Sequence, residues 1–183
     1  MFYSQRVLVS LFIFFVLAGC SSLDAGRGNP VQLDAPTDAK MGIILGRVDD
    51  AGSENKITYV TIWEQKAKLR SGNQGIPVRM FADGTFVAVN VPPGNYYIPT
   101  LTSDGQGAAI MDTSLLQAFE VKPGKAAYWG TYKVEFKKGS ATFGIPSFVK
   151  LTKSDGKEKK KVFTQVLQAA KGSGWEKAVK AGM

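Results

Sequence analysis

Histidine is absent from all 183 residues, and cysteine occurs once, at Cys20. Without histidine the commonest general base near neutral pH is missing. Catalytic triads that depend on it are excluded, and so are zinc sites built on imidazole. A single thiol rules out an intrachain disulfide framework, so the fold must be held by packing. Acidic residues are scarce toward the C-terminus. Residues 150–183 carry nine lysines against three acids, whereas residues 20–149 hold 13 basic and 12 acidic residues. The basic excess belongs to a tail and not to the chain as a whole, which argues against nucleic acid as a partner. The carboxylates form no pair spaced for acid–base work and no alternating acidic loop for calcium. Asp104-Gly105-Gln106-Gly107 is too short for a phosphate-binding loop and is followed by no P-loop lysine. No cofactor or metal is expected. Long apolar runs are lacking too: the longest near the start is Val7–Val16 (VLVSLFIFFV), with Ser10 its one polar residue.

That run is too short to span a bilayer comfortably, which takes about 20 apolar residues. It follows Arg6 and precedes small residues, the build of a secretory signal. Leu17-Ala18-Gly19-Cys20 comes next, and then polar Ser21-Ser22. The tetrapeptide resembles the lipobox of bacterial lipoproteins, a resemblance carried by residues 1–20 alone. It implies cleavage between Gly19 and Cys20, a diacylglycerol on the Cys20 sulfur and usually an acyl chain on the new amino group. Two or three such chains bury enough CH2 groups, each worth about 0.8 kcal/mol, to hold a protein on a membrane. Ser21, where an Asp would imply inner-membrane retention, implies the outer membrane, facing the periplasm. The plainer alternative is an ordinary signal peptide or anchor in which Cys20 is incidental.

The expected organisation is a signal peptide over residues 1–19, a lipidated tether over 20–40, a β domain over 41–151 and a basic helical tail over 152–183. Ser21–Lys40 is rich in Gly, Asp, Pro and Ala and has no apolar period. Short β-like runs begin at Met41–Val48 and continue at Lys56–Gln65, which is apolar on both faces and reads as an inner strand. Ile76–Phe81 and Thr85–Val91 flank Asp83-Gly84 and predict a hairpin. After Pro92-Pro93-Gly94-Asn95, Tyr96–Leu101 is a further strand, and Ser103–Asp112 reads as a Gly-rich loop. Leu115–Val121 and Ala126–Phe136, joined by Lys122-Pro123-Gly124-Lys125, predict a last hairpin. In it Tyr128, Tyr132, Val134 and Phe136 share one face, with Thr131, Lys133, Glu135 and Lys137 on the other. Ala141–Leu151 would add an edge strand. Short strands with turns at regular spacing predict an all-β sandwich of about seven to eight strands.

The stretches VPPGNYYI (Val91–Ile98) and VKPGKAAYWG (Val121–Gly130) resemble prealbumin-like sandwiches of the carboxypeptidase regulatory-like kind. The resemblance spans residues 41–137. It implies a Greek-key, Ig-like arrangement and no catalysis of its own.

Lys157–Lys171 sets Val162, Phe163, Val166, Leu167 and Ala170 at helical spacing, with Ser154 or Asp155 as cap and Gly172-Ser173-Gly174 as terminator. This amphipathic helix would dock on the sandwich, or else lie on a membrane or a partner. Lys157, Lys159, Lys160 and Lys161 are the candidate contacts to an anionic surface. Trp63, Tyr96, Tyr97 and Trp129 would stack on sugars if exposed, but on strands they read more naturally as core. Ser-x-x-Lys occurs at Ser53, Ser147 and Ser154, without the companion motifs of the acyltransferases that use it. The sequence thus points to a non-enzymatic envelope protein held on the membrane through Cys20. Its partner would be an envelope protein or, alternatively, an anionic polymer such as lipopolysaccharide or cell wall.

Overall fold

The computed structural model describes residues 28, 32–53, 56–65, 75–103, 106–110, 118–137, 139, 147–154 and 156–183. The expected signal peptide, with Gly19 and Cys20, lies outside the described residues. Among the described residues, nine strands and two helices follow in order: β1 Gly42–Asp49, β2 Ile57–Glu64, β3 Arg79–Met80, β4 Thr85–Val91, β5 Gly94–Ser103, β6 Gln106–Ile110, β7 Phe119–Val121, β8 Ala126–Lys137, β9 Phe148–Lys153, α1 Glu158–Ala170 and α2 Glu176–Gly182. The mostly β architecture agrees with a sandwich, with more strands than expected and a second helix.

Five strands in the order β9-β8-β1-β4-β3 make one sheet. The other sheet has four: β2 pairs one edge of β5, while β6 and β7 share its other edge at successive stretches. A short parallel seam, Ala109 to Phe148 and Ile110 to Val149, joins β6 to β9 and makes the hydrogen-bonded path continuous. Between the sheets lies the larger core, with Ile44, Val48, Ile57, Val60, Ile62, Phe86, Ile98, Leu101, Val134 and Val149 among its members. A second core sits on the outer face of the five-stranded sheet. There Ile43, Leu45, Phe81 and Val87 meet Val162, Phe163, Val166, Ala169 and Ala170 of α1, Trp175, and Val179 of α2. Strand β1 is consequently buried on both faces, odd residues toward the helices and even residues toward the second sheet. Of the two roles expected for the helical tail, docking on the sandwich is the one observed.

Several sequence expectations are corrected. Lys56–Gln65 does not form an inner strand: β2 ends the path, and beyond β5 it makes, among the described residues, only an isolated bridge from Ile62 to Ile76. Its second apolar face is half-buried, with Trp63 edge-on to Tyr97 at 6.5 Å. The Gly-rich stretch after Ser103 contains β6, whose small residues Gly107, Ala108 and Ala109 gave no strand signal; Asp104 and Gly105 lie outside the described residues. The Lys122–Lys125 turn does not close a hairpin, because β7 pairs β5 while β8 pairs β1 and β9. Strand β9 is interior and not an edge, since β8 and β6 both pair with it. The segment expected as a tether is docked from Gln32 onward. The Leu33 amide donates to the Ala169 carbonyl, and Asn90 holds Thr37 and Ala35 through its side-chain amide. Asn90 stands at φ 57°, a conformation Asn tolerates better than most residues.

The Asp83-Gly84 hairpin forms as expected. Gly84 adopts φ 84°, and Asp83 accepts the Thr85 amide. The alternation along β8 fails at one point. A bulge there pairs Leu45 with Tyr128 but Gly46 with Gly130, and Gly130 stands at φ 134°. The extra residue changes the facing pattern. Tyr128 and Thr131 turn to the helices, while Trp129, Tyr132 and Val134 enter the inter-sheet core. Phe86, Trp129 and Tyr132 then form a row of rings, with centroids 5.7 Å and 4.4 Å apart. The row covers both glycines: a Cβ on Gly46 would lie 2.3 Å from the Phe86 ring, and one on Gly130 2.7 Å from Tyr132. Gly130→Ala meets both the backbone penalty and the ring, and is expected to lower the unfolding free energy by roughly 2–3 kcal/mol. Gly156→Ala, where a Cβ meets nothing within 4 Å, should change it little; urea unfolding of the two variants measures the difference.

Candidate functional site

Helix α1 forms where the sequence periodicity places it, but its start differs from expectation. Ser154 does not cap it, and Asp155 lies outside the described residues; Lys157 occupies the N-cap position without a side-chain bond. The first turn therefore carries lysines at the end where the helix dipole favours anions. Glu158, the one acid there, turns back to the sheet and accepts from Arg47 Nη1.

Arg47 is the polar anchor of the helical layer. Its side chain is only 12% exposed, and it stands between Glu158 and the β3–β4 turn. Its Nε donates to the Asp83 carbonyl at 3.2 Å and lies 3.7 Å from the Asp83 carboxylate. Asp83 also accepts from Gln165 Nε2 of α1 at 3.0 Å, and the Thr85 hydroxyl lies within bonding reach of both Asp83 and Gln165. One strand, one turn and two points on the helix are thus joined in a single network. Tyr128 lies close by, its hydroxyl 2.7 Å from that of Thr131. Burial raises the Tyr128 phenol pKa above its usual value, with the Thr131 bond acting against burial and Glu158 adding to it. Sequence reading missed this network. Its one signal is Arg47 itself, a lone charge within the apolar run Met41–Val48.

Beside the network, and sharing Gln165 with it, Lys157, Lys160, Lys161, Thr164, Gln165 and Gln168 succeed one another at helical spacing and line a shallow groove of about 620 Å³. The four lysines expected to act together are divided. Lys157, Lys160 and Lys161 share this flank, and no carboxylate among the described residues pairs with them. Lys159 lies over the Phe163 ring, 5.2 Å from its centroid.

The aromatic candidates divide as well. Tyr96 and Trp129 are core residues, whereas Trp63 and Tyr97 are half-buried on the outer face of the four-stranded sheet. The Ser-x-x-Lys positions serve local structure: Lys56 donates to the Asp50 carbonyl, and the Ser147 hydroxyl accepts the Gly139 amide. Among the described residues no three Asp, Glu, Cys or His side chains converge as a metal site, and no helix is long and apolar enough to cross a membrane. No family model, curated protein or solved structure matches the chain.

Removing Arg47 would leave the partly buried carboxylates of Asp83 and Glu158 without the counter-charge they share. Arg47→Met is expected to cost about 2–4 kcal/mol of unfolding free energy and to speed amide exchange in α1, whereas Lys160→Gln should change neither. Hydrogen exchange followed by mass spectrometry distinguishes the two.

Proposed function

We propose that the chain is a lipid-anchored envelope lipoprotein. Cys20 carries the lipid, the Gly19–Cys20 bond is the cleavage point, and the outer membrane, facing the periplasm, is the location. The β domain acts there as a non-catalytic binding or structural module for an envelope protein partner. The observation that carries this reading is the placement of the sole thiol directly behind Leu17-Ala18-Gly19 and the apolar run Val7–Val16. A domain with two packed cores and no need of a disulfide suits such a compartment as well as any other; the anchor sequence makes the choice. The finer fold assignment, a Greek-key and prealbumin-like sandwich, is part of the same proposal. In its support, β1 lies between β4 and β8, partners drawn from across the chain, while β2 and β5 belong to the opposing sheet.

Cys20→Ala is expected to abolish incorporation of labelled fatty acid and to move the protein out of the outer-membrane fraction. If the variant still fractionates with that membrane, the anchor assignment is wrong. In-cell crosslinking of the lipidated form should then recover a discrete protein that the variant does not.

A second reading is recognition of an anionic envelope polymer, such as lipopolysaccharide or cell wall. The observation in its favour is the flank of α1 on which three lysines have no acidic partner among the described residues. Binding of this kind weakens steeply with salt. The expected result is retention on purified polymer that falls as salt rises and falls again in the Lys157→Gln, Lys160→Gln, Lys161→Gln triple variant. Salt-insensitive retention, or none, removes the reading.

A further inference from the structure

The lysine flank and the entry of the N-terminal segment meet at the same end of the domain. Gly28 bridges to Phe81, its amide donating to the Met80 carbonyl and its carbonyl accepting the Ala82 amide. Ala82 adjoins Asp83, which accepts from Gln165, and Gln165 lies on the lysine flank one turn from Lys161 and two from Lys157. Two turns of helix measure about 11 Å. Cys20 precedes Gly28 by eight residues, so covalent geometry keeps the two within about 28 Å. A lipid on Cys20 would therefore keep Gly28, and with it this pole of the domain, within about 28 Å of its own bilayer. The opposite end of β1, with exposed Lys122 and Lys125, points away. At the near pole, three ammonium groups with no acidic partner among the described residues stand on a helix terminus whose dipole already favours anions.

We propose that the Lys157, Lys160 and Lys161 flank of α1 docks on the phosphate headgroups of the leaflet that holds the Cys20 lipid, fixing the orientation of the domain on the membrane. The proposal rests on the lipid-anchor reading above. It assigns the adverse placement of lysines in the first turn a role: they contribute little to the helix and are matched instead by lipid phosphate. A lipid chain supplemented by a basic patch is also a recognised way to strengthen attachment.

The test uses the lipidated protein as purified from cells, reconstituted into vesicles of phosphatidylcholine alone or with phosphatidylglycerol, and labelled briefly with an amine-reactive ester. Labelling at Lys157, Lys160 and Lys161 is expected to fall at least threefold on the anionic vesicles. Lys122 and Lys125 should be unchanged, and high salt should restore the three. Equal labelling on both vesicles, with the protein still floating with them, overturns the docking while leaving the anchor intact. A Cys20 peptide without lipid mass overturns both. Protection already present in detergent would place a second copy of the chain on the flank, and protection only on adding lipopolysaccharide would place the polymer there; either result overturns the proposal.

Discussion

The architecture depends on the point where Gly46 and Gly130 face each other across β1 and β8. An unbroken ladder would have sent Tyr128, Tyr132 and Val134 to the same side. The bulge instead allots one aromatic ring to the helical core and two to the inter-sheet core. Rings of this size each bury on the order of 200 Å². Filling two cores from one strand requires backbone without side chains directly beneath the rings, and the glycine pair supplies it. Strand β1 can then be buried on both faces although β4 and β8, its neighbours, come from distant parts of the chain.

The helical layer follows from that central strand. Ile43 and Leu45 present an apolar outer face, and α1 covers it with its own stripe. Apolar contact of this kind sets distance but not rotation. The Arg47 network adds direction, because Asp83 and Glu158 bond the same guanidinium and Gln165 bonds Asp83 from the helix. Fixing the helix about its axis also decides which side chains face solvent. The lysine flank is in that sense a product of the buried arginine.

Much of the fold was legible in the sequence. The helix stripe, its glycine terminator and the Asp83-Gly84 hairpin are local signals, and local physics suffices to form them. Pairing is another matter. Nothing in the period of Phe119–Val121 says that it joins β5 and not β8. The short, small-residue strand β6 has a single β-branched residue, Ile110, too little to mark a strand. Edge and interior positions of β2 and β9 were inverted because hydrophobicity on both faces reports burial by packing, not hydrogen-bonding partners. Of the candidate surface, the lysines were visible as a cluster. Their division follows from helix geometry: Lys159 stands one turn before Phe163 and lies over its ring beside the buried stripe, while Lys157, Lys160 and Lys161 line the groove.

The segment around Leu33 and Asp34 has a consequence for how the chain comes to be folded. The Trp175 indole donates to the Asp34 carbonyl across a separation of 141 residues, and Leu33 binds the backbone of α1 at Ala169. Contacts so remote in sequence raise the contact order of the domain, and folding rates fall as contact order rises. The first described segment has no completed seat until α1 and Trp175, close to the other end of the chain, are available. A chain emerging N-terminus first therefore cannot seat Leu33 and Asp34 until α1 and Trp175 have been made, whereas the inter-sheet core draws on no helix residue and can close before them.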